Sequence, residues 1–234
     1  MATSNTYSFD LNILEIIEEA FERVKGESKT GYDLEMARRS LNILLEEWVN
    51  EGINLWTIEE VSQTLSFGVD TYTLNSKYID ILDMIYRDSQ DVDTQVFRKS
   101  MQEYLHFPSK TDTGTPINFV TYRNRDTVTF KVWPVPDTYA TTGELIIYGI
   151  RYIQDIGNYG NTLDMPRRFK PAMIAGLAYK LSGKLMPKDN PETMNVWMAL
   201  RQSLKIEYDE MFQKAKDEDR ERTSFVVRLT QRRY

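Results

Sequence analysis

The stretch Met165–Met186, "MPRRFKPAMIAGLAYKLSGKLM", decides how this chain is read. Its apolar residues recur with helical spacing, and Pro166 and Pro171 both stand where a helix can start, because the first turn has spare N–H groups in any case. Ala172, Ala175, Gly176 and Ala178 are small enough to let another helix approach closely. After "PKDNPE" the periodicity resumes from about Thr193 to about Asp219, with apolar residues at Val196, Trp197, Leu200, Leu204, Tyr208, Met211 and Phe212. The end of that run, "KAKDEDRER", has nothing left to bury.

A matching helical pair lies at the other end of the chain. Leu11, Ile13, Leu14, Ile17, Phe21 and Val24 form one stripe, with Asp10 as the expected N-cap. Leu34, Ala37, Leu41, Leu44, Leu45 and Trp48 form a second, between Tyr32 and Val49, closed by "NEG" at Asn50–Gly52. Between the pairs the period changes. "VSQTLSF", "DTYTL" and "YIDILDMIYRD" are short, rich in β-branched and aromatic residues, and separated by turn signals. Phe97–Leu105 reads as a short helix and Ser109–Pro116 as an exposed loop. The clearest hairpin joins Phe119–Tyr122 to Val128–Trp133 across the polar "RNRD", and Glu144–Ile153 is a further strand.

Neither helical pair has an apolar face broad enough for a complete core. The expected fold is therefore mainly α: a four-helix bundle with an inserted antiparallel β-rich segment and an extended C-terminal tail. The expected organisation is one domain over 1–219, with helices at about 11–52 and 166–219 and the β-rich insertion at about 57–153, followed by an arm over 220–234. The arm, "RERTSFVVRLTQRRY", alternates apolar Phe225, Val227 and Leu229 with Val226, Arg228 and Thr230. That is a strand pattern with no hairpin partner nearby, as expected of a segment that pairs with or docks on another chain. It carries five Arg against one Glu in a chain of net charge −6, so the other residues sum to −10. A charge asymmetry of this kind points to a tail with its own partner.

The 234 residues contain one His, His106, and no Cys, which excludes disulfides, thiolate metal sites and thiol nucleophiles. No G-x-S-x-G accompanies His106, "GNYGN" at Gly157–Asn161 is no phosphate loop, and no D-x-D-x-D-G sequence occurs. No catalytic residue, metal ligand or cofactor is therefore assigned. The adjacent carboxylates Glu18–Glu19, Glu46–Glu47 and Glu59–Glu60 leave an alternative, a two-carboxylate glycosidase such as a peptidoglycan hydrolase, or a cell-wall-binding module. No apolar stretch approaches the roughly 18 residues of a membrane span, so no stable membrane insertion is expected.

Three quoted stretches taken in order, "ILEIIEEAFERV", "LEMARRSLNILLEEWVNEGINLWTIEE" and "MPRRFKPAMIAGLAYKL", with the β-rich segment between them, resemble the head-to-tail adaptors of short-tailed bacteriophages. That family is also called tail accessory factors, or tail tubular protein A relatives. The resemblance implies a virion structural protein at the head–tail junction, assembled in the host cytoplasm. Such proteins form a homo-oligomeric ring, typically of twelve, below the portal protein and above a tail nozzle or tube protein. DNA passes through the channel at ejection without sequence-specific binding. It also implies that Arg222, Phe225, Val227, Arg228, Leu229, Arg232, Arg233 and Tyr234 of the arm bind the portal. The hairpin turn, Tyr122, Arg123, Asn124, Arg125 and Asp126, is expected to face the tail.

Overall fold

The computed structural model describes residues 9–24, 31–53, 55–187 and 190–219. The chain divides into two compact units: a helical unit, residues 1–55 with 154–234, and a sheet unit, residues 56–153.

The helical unit is organised around one helix that is buried on all sides. Its helices are α1 (Ile13–Glu22), α2 (Gly31–Asn50), α4 (Lys170–Lys184) and α5 (Pro191–Glu218), with α3 (Met101–Leu105) lying in the sheet unit. Every residue from Ala172 to Ala178 is buried, and α4 packs against α1, α2 and α5 in turn. A helix apolar all round must be central. Gly176 sits at the tightest point. A Cβ there would lie 2.8 Å from the Tyr208 ring and 2.9 Å from Leu44, so the absent side chain is what lets α5 and α2 close on α4.

The start of α1 corrects the sequence expectation. Asn12, not Asp10, is the N-cap: its side chain accepts from the Glu15 N–H at 2.9 Å, and Glu15 accepts from the Asn12 N–H at 2.8 Å. This reciprocal capping box satisfies two otherwise orphaned donors. Asp10 instead pairs with Lys170, which also donates to the Leu11 carbonyl at 3.2 Å. Helix α5 begins at Pro191 under an Asn190 cap, slightly earlier than its apolar pattern indicates. Only Leu204 and Ala215 of its 28 residues are buried, and Val196, expected on the apolar stripe, is 72% exposed.

The sheet unit has its own core. Its strands are β1 (Ile58–Thr64), β2 (Thr71–Thr73), β3 (Tyr78–Arg87), β4 (Asp93–Arg98), β5 (Thr113–Gly114), β6 (Asn118–Arg123), β7 (Val128–Trp133), β8 (Val135–Pro136) and β9 (Glu144–Arg151). Seven of them form one sheet in the order β1-β9-β3-β4-β6-β7-β2, while β5 and β8 pair separately. Within the seven, β4 and β6 run parallel and the other neighbours antiparallel. Tyr72, Ile81, Met84, Tyr86, Phe119, Phe130, Val132, Leu145 and Ile147 are among the side chains that meet in its core.

These findings overturn the expected fold class. The protein is not a four-helix bundle carrying an inserted antiparallel β-rich segment: the described residues form five α-helices together with a large seven-stranded mixed sheet. Two features carried the error. The strand β4, "DTQVFR", buries only Val96 and so shows no alternation worth reading, and its parallel partner β6 is reached by a crossover through α3.

Candidate partner interface

The β6–β7 hairpin is the best-defined of the sequence-predicted sites. In β7, Val128, Phe130 and Val132 are buried in alternation, and the register runs from Asn118 opposite Trp133 to Arg123 opposite Val128. The turn is closed by the Asn124 N–H donating to the Thr127 carbonyl at 3.0 Å and by Asn124 Nδ2 donating to Thr129 Oγ1 at 2.9 Å. The first bond closes the turn through the backbone, and the second braces it between two side chains. Arg125 and Asp126 stand at the tip, with 94% and 79% of their side chains exposed.

Arg123 has another role. It reaches back to Asp80, which also accepts from Arg98 Nη2 at 3.0 Å, while Arg98 Nη1 donates to the Ile81 carbonyl at 2.6 Å. Asp80 lies on β3 where the register to β9 slips twice, between Tyr78 and Asp80 and between Ile81 and Asp83. An irregularity of this kind re-aims side chains, and here the adjacent residues Asp80 and Ile81 are both buried. Burial pushes the Asp80 carboxyl up, but the hydrogen bonds from Arg123 and Arg98 outweigh it and hold the group below its ordinary value. One carboxylate therefore ties β3, β4 and β6 together at the root of the hairpin. Arg123 belongs to that anchor, and the turn beyond it is exposed.

A cavity of about 290 Å³ lies against the turn, walled by Tyr78, Ile79, Tyr152 and the segment Asn124–Val128. Tyr122 points to the other side, where its hydroxyl donates to Met101 Sδ at 3.7 Å. There α3 covers the sheet with a small aromatic cluster: Phe107 lies 4.5 Å from Trp133 and 5.7 Å from Tyr104, centroid to centroid. The hairpin residues thus divide into an anchor, Arg123, a packed residue, Tyr122, and an exposed tip, Asn124–Asp126.

The weaker sequence candidates become ordinary surface features. His106 caps the C-terminus of α3, exposed, with Nδ1 2.7 Å from the Gln102 carbonyl. Each carboxylate pair has at least one member engaged in an ion pair or hydrogen bond: Glu19 with Arg23, Glu47 with Lys180, Glu59 with Lys77 and Arg151, and Glu60 with the Tyr148 hydroxyl. The Lys77 hydrogen bond, aided by Arg151, lowers the Glu59 pKa, the opposite of what a general acid at neutral pH needs. Among the described residues no cluster of three or more His, Asp or Glu could hold a metal ion, and no helix is long and apolar enough to cross a membrane. The arm residues Arg222, Phe225, Val227, Arg228, Leu229, Arg232, Arg233 and Tyr234 lie outside the described residues.

Sequence reasoning missed the Asp80 anchor altogether. Its three members are 18 and 43 residues apart, and the only signal was an acidic residue inside an otherwise apolar strand, "YIDIL".

The described residues thus present a mixed sheet with a braced, exposed hairpin tip, in one chain with a helical unit. Residues 11–230 match the SU10 adaptor protein family, and the chain belongs to it. That family comprises phage head-to-tail adaptors, so the chain is a phage structural adaptor and a component of the virion. No curated protein matches the chain.

Proposed function

We propose that this adaptor assembles as a homo-oligomeric ring, of twelve copies as the family resemblance implies, between the portal protein and the tail nozzle. The single observation that carries this reading is the family match, which spans both the helical and the sheet unit and extends into the arm. The arm over 220–234 docks on the portal: its Arg groups suit carboxylates, and its alternating Phe225, Val227 and Leu229 suit burial against a partner strand. The hairpin tip Asn124–Asp126 faces the nozzle. The ring extends the channel for DNA, and the acidic excess of residues 1–219 favours a wall that repels phosphate, so that DNA slides through without sticking.

The test is the mass of the purified protein, full length and truncated before Arg220, alone and with a portal ring. Full-length protein binding as a closed ring, with the truncation failing to bind, is the expected result. A protein that stays monomeric and ignores the portal under assembly conditions overturns the proposal. For the hairpin, Arg125→Ala with Asp126→Ala is a cleaner probe than deleting Arg123–Asp126, because the deletion also breaks the Asp80 anchor. The double substitution is expected to impair nozzle attachment and leave portal binding intact; the reverse pattern overturns the assignment.

A further inference from the structure

Along their C-terminal turns, α2 and α5 leave an open groove of about 500 Å³, within the range of sites that hold a bound group. Its floor is formed by the half-buried Tyr208 and Phe212, which lie over the fully buried Trp48. The Trp48 ring lies 5.4 Å from Phe212, Phe212 lies 5.6 Å from Tyr208, and Trp48 Nε1 donates to the Tyr208 hydroxyl at 3.0 Å. Its rim is acidic, formed by Glu47, Glu51 and Asp209, and no cationic residue lines it. Lys180 binds Glu47 from outside the groove at 2.6 Å and Lys216 binds Glu51 at 2.9 Å, whereas Asp209 has no ion-pair partner among the described residues.

We propose that this groove holds the chain's own C-terminal arm in the free subunit, with Phe225 entering the aromatic floor and Arg222 and Arg228 reaching the acidic rim. Three observations converge on that occupant. The first is reach. Asp219, the last described residue, follows Tyr208 by eleven residues, about 16 Å of helix at roughly 1.5 Å per residue. An extended chain returning from Arg220 covers about the same distance by Phe225 at roughly 3.3 Å per residue. The second is charge, since the arm holds five Arg against one Glu, the charged residues that line the groove are all acidic, and Asp209 among them has no ion-pair partner among the described residues. The third is spacing: Phe225 has an Arg three residues to either side, and Arg side chains are long enough to lay their stems along an apolar floor while the heads meet the rim. Because the arm is tethered beside the groove, its effective concentration there is on the order of millimolar, so a modest contact is enough to hold it. The groove then shields the arm until a stronger partner takes it. This goes beyond the portal reading, and its test involves no portal, so either can fail without the other.

The chain has no Cys, so Gln213→Cys with Ser224→Cys introduces its only two thiols. Gln213 lies on the groove wall, and a disulfide needs the two Cα atoms within about 7 Å. The full-length variant, oxidised without a portal, is expected to form an intramolecular disulfide whose yield is unchanged on dilution. Adding Asp209→Lys, at an exposed position, should cut the yield about fivefold by reversing the rim charge. The control pairs Ser224→Cys with Gln202→Cys, exposed farther up α5 and away from the groove. Equal yield in the control overturns the proposal, as does insensitivity to Asp209→Lys. A disulfide that forms only between chains, with a yield that rises with protein concentration, also overturns it and assigns the groove to a second copy.

Discussion

The two units bury their apolar residues in different ways. In the sheet unit the strands close around side chains contributed by β2, β3, β4, β6, β7 and β9, and nearly every inward position is used. In the helical unit burial is concentrated on α4, while α5, the longest element, commits only Leu204 and Ala215 to full burial. What holds α5 instead is a set of directional contacts. Arg23 binds Glu207 at 2.6 Å, Trp197 Nε1 donates to the Ser182 carbonyl at 2.7 Å, Arg201 lies over Tyr179, and Trp48 donates to Tyr208. The difference teaches that the sheet unit gathers its core from its strands and from the segments that join them, such as Leu65, Leu74 and Ala140. The helical unit keeps a long helix that its described neighbours cover only in part.

The strongest way to break this comparison is to hollow each core in turn. Phe130→Ala in the sheet unit and Trp48→Ala in the helical unit remove fully buried rings, and each should cost about 3–5 kcal/mol. If the units unfold separately, urea titration followed by circular dichroism and tryptophan fluorescence will show an early transition confined to the damaged unit; a single shared transition would show that they unfold as one.

Close approach gives the next largest effect. Gly176→Ala places a methyl 2.8 Å from the Tyr208 ring, and Gly149→Ala places one 2.8 Å from Tyr78. Each overpacks its own unit, at about 1–3 kcal/mol. Denaturation midpoints measured for the two variants should fall in the corresponding unit only, and a neutral Gly176→Ala would show that α5 shifts freely on α4.

A pH titration sharpens the contrast further. The Asp80 carboxyl is held below its ordinary value of 3.8, so the unfolded chain takes up the proton first as pH falls. The stability contributed by the anchor is therefore fully present above pH 4 and is lost as pH drops through the lowered folded value. Arg98 and Arg123 are substantially exposed, which screens the pair and limits the contribution to about 1 kcal/mol. Asp80→Asn should flatten the acid limb of the sheet unit's stability profile while leaving that of the helical unit unchanged. The smallest effect is expected at the hairpin tip: Arg125→Ala with Asp126→Ala should move thermal stability by no more than about 0.5 kcal/mol, so that any loss of partner binding is a loss of contact and not of fold.

Legibility in the sequence followed the range of the interactions. The strands of the β6–β7 hairpin and the stripes of α1, α2 and α4 were readable because their signals repeat within a few residues. The N-cap of α1 was misread at Asp10 although "NILE" at Asn12–Glu15 carries the capping box, a local signal that was overlooked rather than absent. For the candidate interface, the exposure of Arg125 and Asp126 followed from a polar four-residue turn, whereas the anchoring role of Arg123 did not, since its partner lies 43 residues away. The aromatic groove was equally hidden: Tyr208 and Phe212 each sit on a stripe that reads as core, and the partial cover of α5 leaves both half-buried beside Glu47 and Glu51.

The sequence by itself determined the helical pairs near the two ends and the β-rich middle between them, the absence of thiol chemistry, the charge asymmetry between the arm and the rest, and a resemblance strong enough to name the adaptor family. These depend on composition and on periodicities of two and 3.6 residues, which are local properties of a chain. Only the tertiary structure decided that the middle segment is a mixed seven-stranded sheet with its own core, that Asp80 ties three strands together, and that α4 is the centre of the helical unit. Each of those depends on which distant segments meet, and a buried carboxylate or a glycine at a helix crossing acquires its meaning only from the neighbour that packs against it.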